Sequence, residues 1–193
     1  LLFKKLLMED YKLYQSKLIK NNHQSFINGC TLSHNYLKKE YITDSTWNYD
    51  KYNIFSITSC SVLFYNLYKE LNYHIRSFIG NNQPLWIQSW LNYHEGKEVE
   101  KQLPPHGHPW DYHGYISIEP QNTTTIFHKG YEIQNKVGQI YIGKGNGQNN
   151  ENPDLTHYVK INKPYNGIRI TVGFDIATTS DRFLGNMKFI PLL

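Results

Sequence analysis

Six short segments between residues 85 and 176 limit most tightly what this chain can fold into. They are "LWIQSWLNY" (85–93), "GYISIEP" (114–120), "TTTIF" (123–127), "GQIYIG" (138–143), "HYVKI" (157–161) and "GIRITVGFDI" (167–176). Each is β-branched or aromatic, and Gly, Pro and Asn punctuate the gaps between them. Six strands with no helix among them imply a mainly β fold, a sandwich or a barrel. The segment before them reads differently. In residues 61–79, Leu63, Leu67, Leu71, Ile75 and Phe78 recur at spacings of three and four, the single apolar stripe of a helix. Ser61 is placed to cap its start and Gly80 to stop it. Residues 1 to about 20 alternate apolar and basic positions, and with no cleavage site they predict a short amphipathic helix or arm. Residues 21–58 are rich in Asn, Ser and Thr and predict short strands and loops. With no linker or repeat, the expected layout is one domain over 1–193: a helical and irregular part to residue 80, and a β unit from 81.

Composition removes several classes of function. Of 193 residues, 39% are hydrophobic and 19% charged, which suits a globular core. No apolar run approaches the roughly 20 residues of a membrane span. The net charge is only +4 and the lysines are scattered, so nucleic-acid binding is not indicated. Two cysteines, Cys30 and Cys60, show no pairing or ligand spacing, which fits a reducing cytoplasm. A homodimer is neither required nor excluded.

The stretch "PPHGHPWDYHGY" (104–115) crowds three histidines and an aspartate together. It is an incidental loop, a pH-sensitive patch or half of a metal site. On an extended segment His106 and His108, at i and i+2, point to the same side. Asp111 could add a carboxylate or merely cap the turn after Pro109, and His113 begins the next strand. A first-row metal site with open positions commonly takes two histidines and one carboxylate, so a distant ligand is required. His157, at the start of a strand, can supply it. Arg169 lies alone inside an apolar strand, costly unless an anion meets it, and Thr171 faces the same side. A dicarboxylate chelating the metal and salt-bridging Arg169 would account for both. Tyr115 with Ser117, and Asn92 with Tyr93, could line the same cavity while Ile116 and Ile118 pack outward. His74 and His94 read as ordinary partly exposed residues. "GKGNG" (143–147) lacks the ending of a phosphate loop and reads as a hairpin or lid. Loops 94–104 and 144–154 are the expected source of substrate specificity.

The HxH cluster, the distal histidine about fifty residues on, and the arginine followed at i+2 by threonine resemble the iron(II)/2-oxoglutarate-dependent oxygenase superfamily. Residues 85–176 are similar to its small, often phage-associated members. The resemblance implies a double-stranded β-helix, or jelly roll, with N-terminal supporting helices. It implies Fe(II) as the metal, 2-oxoglutarate and O₂ as co-substrates, and hydroxylation of a further substrate, with a virus-encoded enzyme acting in a host cytoplasm as one setting. Carried over by position, it makes His106 or His108 the proximal ligand and His157 the distal one. Arg169 and Thr171, beside Tyr115, would hold the far carboxylate of 2-oxoglutarate. The chain departs from the usual His-x-Asp, which here is His106-Gly107-His108. Either His108 replaces the carboxylate or Asp111 provides it. Two other readings compete: a cupin-like metalloenzyme that does not use 2-oxoglutarate, and a non-catalytic jelly-roll module binding sugars through Trp86, Trp90 and Trp110. Arg169 separates the first of these, since a cupin has no need of it, and metal binding separates the second.

Overall fold

The computed structural model describes residues 10–41, 50–80, 82–96, 104–147, 152–178 and 188–192. Its strands are β1 Tyr11–Gln15, β2 Leu85–Glu95, β3 Tyr112–Glu119, β4 Thr123–Phe127, β5 Glu132–Gln134, β6 Gln139–Lys144, β7 His157–Ile161, β8 Ile168–Ala177 and β9 Ile190–Leu192. Its helices are α1 Lys17–Asn21, α2 His23–Tyr41, α3 Ile54–Ile57 and α4 Val62–Ile79. Six strands form a major sheet in the order β1-β6-β3-β8-β2-β9, and three form a minor sheet in the order β5-β4-β7. All the pairings are antiparallel. This is a jelly-roll arrangement of two sheets, without a closed barrel. All six expected strands are present, two of them, β4 and β7, with the expected bounds.

Period-two alternation explains how the major sheet serves two purposes. Along β8, Ile170, Val172, Phe174 and Ile176 are almost fully buried in the main apolar core. Ile116 and Ile118 of β3 and Ile140 and Ile142 of β6 join them, against Phe26, Leu67, Leu71 and Ile75 from the helices. The alternate residues of β8, from Arg169 to Asp175, turn toward the minor sheet. Ile116 and Ile118 thus pack inward against the helical layer, not outward.

The α4 helix follows its sequence signals. Ser61 Oγ accepts from Phe64 N, and Gly80 closes the helix at φ 74°, a left-handed conformation that glycine adopts without steric cost. The N-terminal expectations need correcting. Tyr11–Gln15 is a strand, not a helix, paired with β6 from Tyr11↔Gly143 to Gln15↔Gln139. Ladder hydrogen bonds and the stacking of Tyr11 on Tyr131 and Tyr141 outweigh a weak local helix preference. Residues 1–9 of that expected helix lie outside the described residues. Residues 21–58 hold no described strand; the 19-residue α2 occupies the first half. Its buried stripe is Phe26, Cys30, Ser33, His34 and Leu37, too polar to stand out as an apolar period. Asn28, Gly29 and Thr31 are weak helix formers, so packing, not propensity, holds the helix. A Cβ on Gly29 would sit 2.6 Å from Phe64 Cε2; the missing side chain admits that ring.

Candidate metal centre

The site lies between the sheets and is built mainly from one loop, the start of β7 and the inner face of β8. His106 sits on the loop before β3 and pairs with His157 in an isolated antiparallel bridge. Each backbone N–H donates to the other's carbonyl at 3.0 Å. Two residues on, His108 N donates to Asn146 Oδ1 at 2.9 Å, and Asn146 N returns a bond to His108 O at 2.8 Å. Within "GKGNG", expected as a hairpin or lid, Gly143 and Lys144 end β6 and Asn146 clamps the histidine loop. Contact is close enough that a Cβ on Gly107 would lie 2.4 Å from Asn146 Oδ1, and one on Gly145 2.1 Å from Trp110 O.

This bracing brings one ring nitrogen from each of His106, His108 and His157 within 4.8 Å of the others. Their hydrogen bonds determine which nitrogens face inward. His106 Nδ1 lies 2.9 Å from Pro104 O, His157 Nδ1 3.2 Å from Leu155 O, and His108 Nδ1 2.6 Å from Asp175 Oδ1. Carbonyl and carboxylate oxygens only accept, so each Nδ1 carries a proton and each Nε2 presents its ligating lone pair. Burial, reinforced by the neighbouring His108, pushes the His106 imidazole down to about 4. Burial, with His108 and His106 beside it, holds His157 well below the ordinary histidine value. Two imidazoles held neutral by burial, His106 and His157, converge with a third whose Nδ1 faces Asp175, a donor set that fits a first-row divalent metal.

The expected site residues fall into three groups. His106, His108 and His157 converge. Arg169, Thr171, Tyr115 and Asn92 line the same pocket. Asp111 is not brought to the imidazoles: its carboxylate accepts a hydrogen bond from Thr178 Oγ1. His113 is a fourth imidazole, stacked 4.3 Å from the His108 ring and 5.0 Å from that of His157. It lies outside the converging set, and its Nε2 has no hydrogen-bond partner. Tyr93 points the other way and stacks on His34 of α2 at 4.0 Å. Ser117 is fully buried away from the pocket lining. Of the tryptophans, Trp90 lines the pocket and stacks over His108 at 6.0 Å, while Trp110 packs on Phe189. Parts of the specificity loops, 97–103 and 148–151, lie outside the described residues.

Arg169 is only 5% exposed, and among the described residues no carboxylate pairs with it. Its Nε has no hydrogen-bond partner, and burial pulls its pKa down. Beside it, Asn92 Nδ2 donates to Thr171 Oγ1 at 3.2 Å. Burial raises the Tyr115 phenol, so it stays a hydroxyl donor. His94, across the ladder from Arg169, is pushed down to about 4 by burial and then by the guanidinium, so it adds no second cation. A buried, uncompensated guanidinium is expensive and implies an anionic ligand.

Sequence reasoning did not single out Asp175 or Asn146. Asp175 carried a signal: the one carboxylate in an apolar strand, six positions and hence an even step from Arg169. Asn146 carried none, because its role depends on a loop contact.

No family model matches the chain and no curated protein sequence does. Its fold is similar to that of a viral collagen prolyl hydroxylase from Paramecium bursaria Chlorella virus-1, with TM-score 0.60 and 12% identity over 89% of this chain and 91% of that one. It is similar also to SnoK, a non-haem α-ketoglutarate-dependent carbocyclase of nogalamycin biosynthesis (TM-score 0.57, 11% identity, 95% and 92% covered). A prolyl-4-hydroxylase of Pseudomonas putida gives TM-score 0.52 at 7% identity, with 89% of each chain covered. At such identities the likeness is one of fold alone, a jelly roll. No described helix is long and apolar enough to cross a membrane.

Proposed function

We propose that this chain is an iron(II)- and 2-oxoglutarate-dependent dioxygenase that hydroxylates a further substrate. His106, His108 and His157 hold the iron through Nε2. Arg169, with Thr171 and Tyr115, holds the far carboxylate of 2-oxoglutarate. The observation that carries this reading is a buried guanidinium with no carboxylate partner among the described residues, in one pocket with three converging imidazoles. A metal site alone would leave Arg169 unexplained, and an anion site alone would leave the imidazoles unexplained.

When bound together, iron and 2-oxoglutarate let O₂ oxidise a substrate C–H bond, with succinate and CO₂ released. The chain supplies binding, orientation and exclusion of water. Arg169 offers a charge-assisted, forked set of donors suited to a carboxylate. The Tyr115 hydroxyl and Thr171 Oγ1 add further donors, and Asn92 positions Thr171. Trp90 covers His108 and shields that ligand from solvent.

An all-imidazole ligand set also suits a cupin-like metalloenzyme working without 2-oxoglutarate, and Arg169 is what argues against it. Anaerobic titration of the Fe(II)-loaded protein with 2-oxoglutarate separates the two. The proposal expects the weak visible charge-transfer absorption of the chelate, with its half-saturation raised at least tenfold in Arg169→Ala. No absorption at saturating 2-oxoglutarate, or an R169A variant with unchanged half-saturation, overturns it.

A further inference from the structure

Three neutral imidazoles leave a divalent ion with its full charge, whereas a set with one carboxylate offsets part of it. Among the described residues, a carboxylate that touches this triad is that of Asp175. It lies on β8, opposite His113 of β3 and Gln88 of β2, and is 3% exposed. Its Oδ1 stands 2.6 Å from His108 Nδ1, and it is outside the converging ligand set. The carboxylate therefore reaches the metal position only through the His108 ring.

We propose that Asp175 is a positioning residue that supplies, through His108, the negative charge which the ligand set itself lacks. The His108–Asp175 pair then stands where a single carboxylate ligand would. This rests on the reading of His106, His108 and His157 as metal ligands. Its chemistry is that of a carboxylate accepting the outer N–H of a ligating imidazole. Such a contact fixes the tautomer and makes the metal-facing nitrogen more basic, and its loss commonly weakens metal binding by about 10–100-fold. Burial strengthens the effect, because a charge in a low-dielectric setting acts with less screening.

The surroundings fit that role. Asp175 shares its face of β8 with Arg169 and Thr171, so the strand sets a cation in the pocket lining and an anion beyond Gly173, behind the His108 ring. Gly173 lies between them, where a Cβ would meet the Trp90 indole at 2.6 Å. The indole of Trp90 stacks on the His108 ring at 6.0 Å, with the His113 ring 4.3 Å from His108. The His108 plane is thereby held while Asp175 fixes its rotation within that plane.

The test is Asp175→Asn, which keeps the side chain's shape, removes its charge and exchanges one oxygen for an N–H donor. Long-range ¹H–¹⁵N spectra of the variant must still show His108 Nδ1 protonated, so that the amide oxygen is the group that accepts and the charge is what has changed. With Co(II) as probe and no co-substrate, calorimetric titration is expected to show affinity about 10–100-fold weaker than wild type, with apo thermal stability retained. An affinity within threefold of wild type would mean that Asp175 merely orients the ring, and would overturn the inference while leaving the metal centre intact. Failure of wild-type protein to bind Co(II) would instead overturn the underlying reading. A measurement on the wild-type apo protein guards against a misfolded variant: long-range ¹H–¹⁵N spectra should show His108 with its Nδ1 protonated. A neutral Nε2–H tautomer there would overturn the inference.

Discussion

Single side chains set the electrostatic character of this pocket. Burial holds both His106 and His94 near 4, below an ordinary value of 6.5. In the window between these values the unfolded chain binds more protons than the folded one. Stability therefore rises with pH across it: it is fully present above about 6.5 and is lost as pH falls toward 4. The urea midpoint of the metal-free protein is expected to be clearly lower at pH 4.5 than at pH 7. Replacing His94 by Gln should flatten that difference, and an unchanged difference would show that His94 titrates as an exposed histidine. At this scale the chain was largely readable. The three imidazoles and Arg169 stand out because such side chains are costly in apolar or crowded settings unless they have a task. Asp111 was less so, because three places past His108 a carboxylate can serve as a ligand or as a turn residue, and only the backbone direction after Pro109 decides. It lies on Thr178 instead.

Among elements, the loop carrying His106 and His108 has its shape imposed from outside. The 145–146 segment braces it through Asn146, and Gly145 lies under the Trp110 carbonyl with no room for a methyl group. Because the obstructing atom is backbone, Gly145→Ala must displace the loop. Overpacking of this kind costs about 1–3 kcal/mol, and the larger effect expected is a Co(II) affinity reduced at least tenfold. Calorimetry of G145A checks this, and wild-type affinity would mean that the loop adapts. Strands announced themselves where one face is apolar, as in β8, since alternation is a strong local signal. The α2 helix did not, because its inward stripe includes Ser33 and His34, whose burial is understandable only beside Tyr93. Nor did β1, whose five residues are a strand because β6 is there to pair with. Local pattern reports a segment's own preference and is silent about a partner brought from more than a hundred residues away.

At the scale of the whole molecule, the described residues form two sheets with a helical layer on the larger one, and the candidate centre joins the sheets. His157 belongs to the minor sheet, and His108 is tied through Asp175 to the major one, with His106 bridged to His157 by backbone. A metal at this point links layers that otherwise meet through side-chain packing. Ligand that binds only the folded state stabilises by about 2.7 kcal/mol at a hundred times its dissociation constant. For a chain of this size that is a rise of roughly 5–10 °C in the unfolding midpoint. Scanning calorimetry with and without Co(II) should show this rise in the wild type and none in His157→Ala, whose backbone bridge to His106 does not depend on the imidazole. A rise that persists in H157A would place the ion elsewhere.

The inner face of β8 also acts as a ruler. Its graduations, from Arg169 to Asp175, come every second residue, or about 6.6 Å apart at the rise of an extended strand. A one-residue slip would throw the guanidinium into the apolar layer and an isoleucine into the pocket. The gap between Arg169 and the candidate metal position therefore cannot be retuned by sliding the strand in steps of a single carbon–carbon bond. A lineage that came to accept a longer or shorter dianion would have to do so through the length of the side chain at position 169.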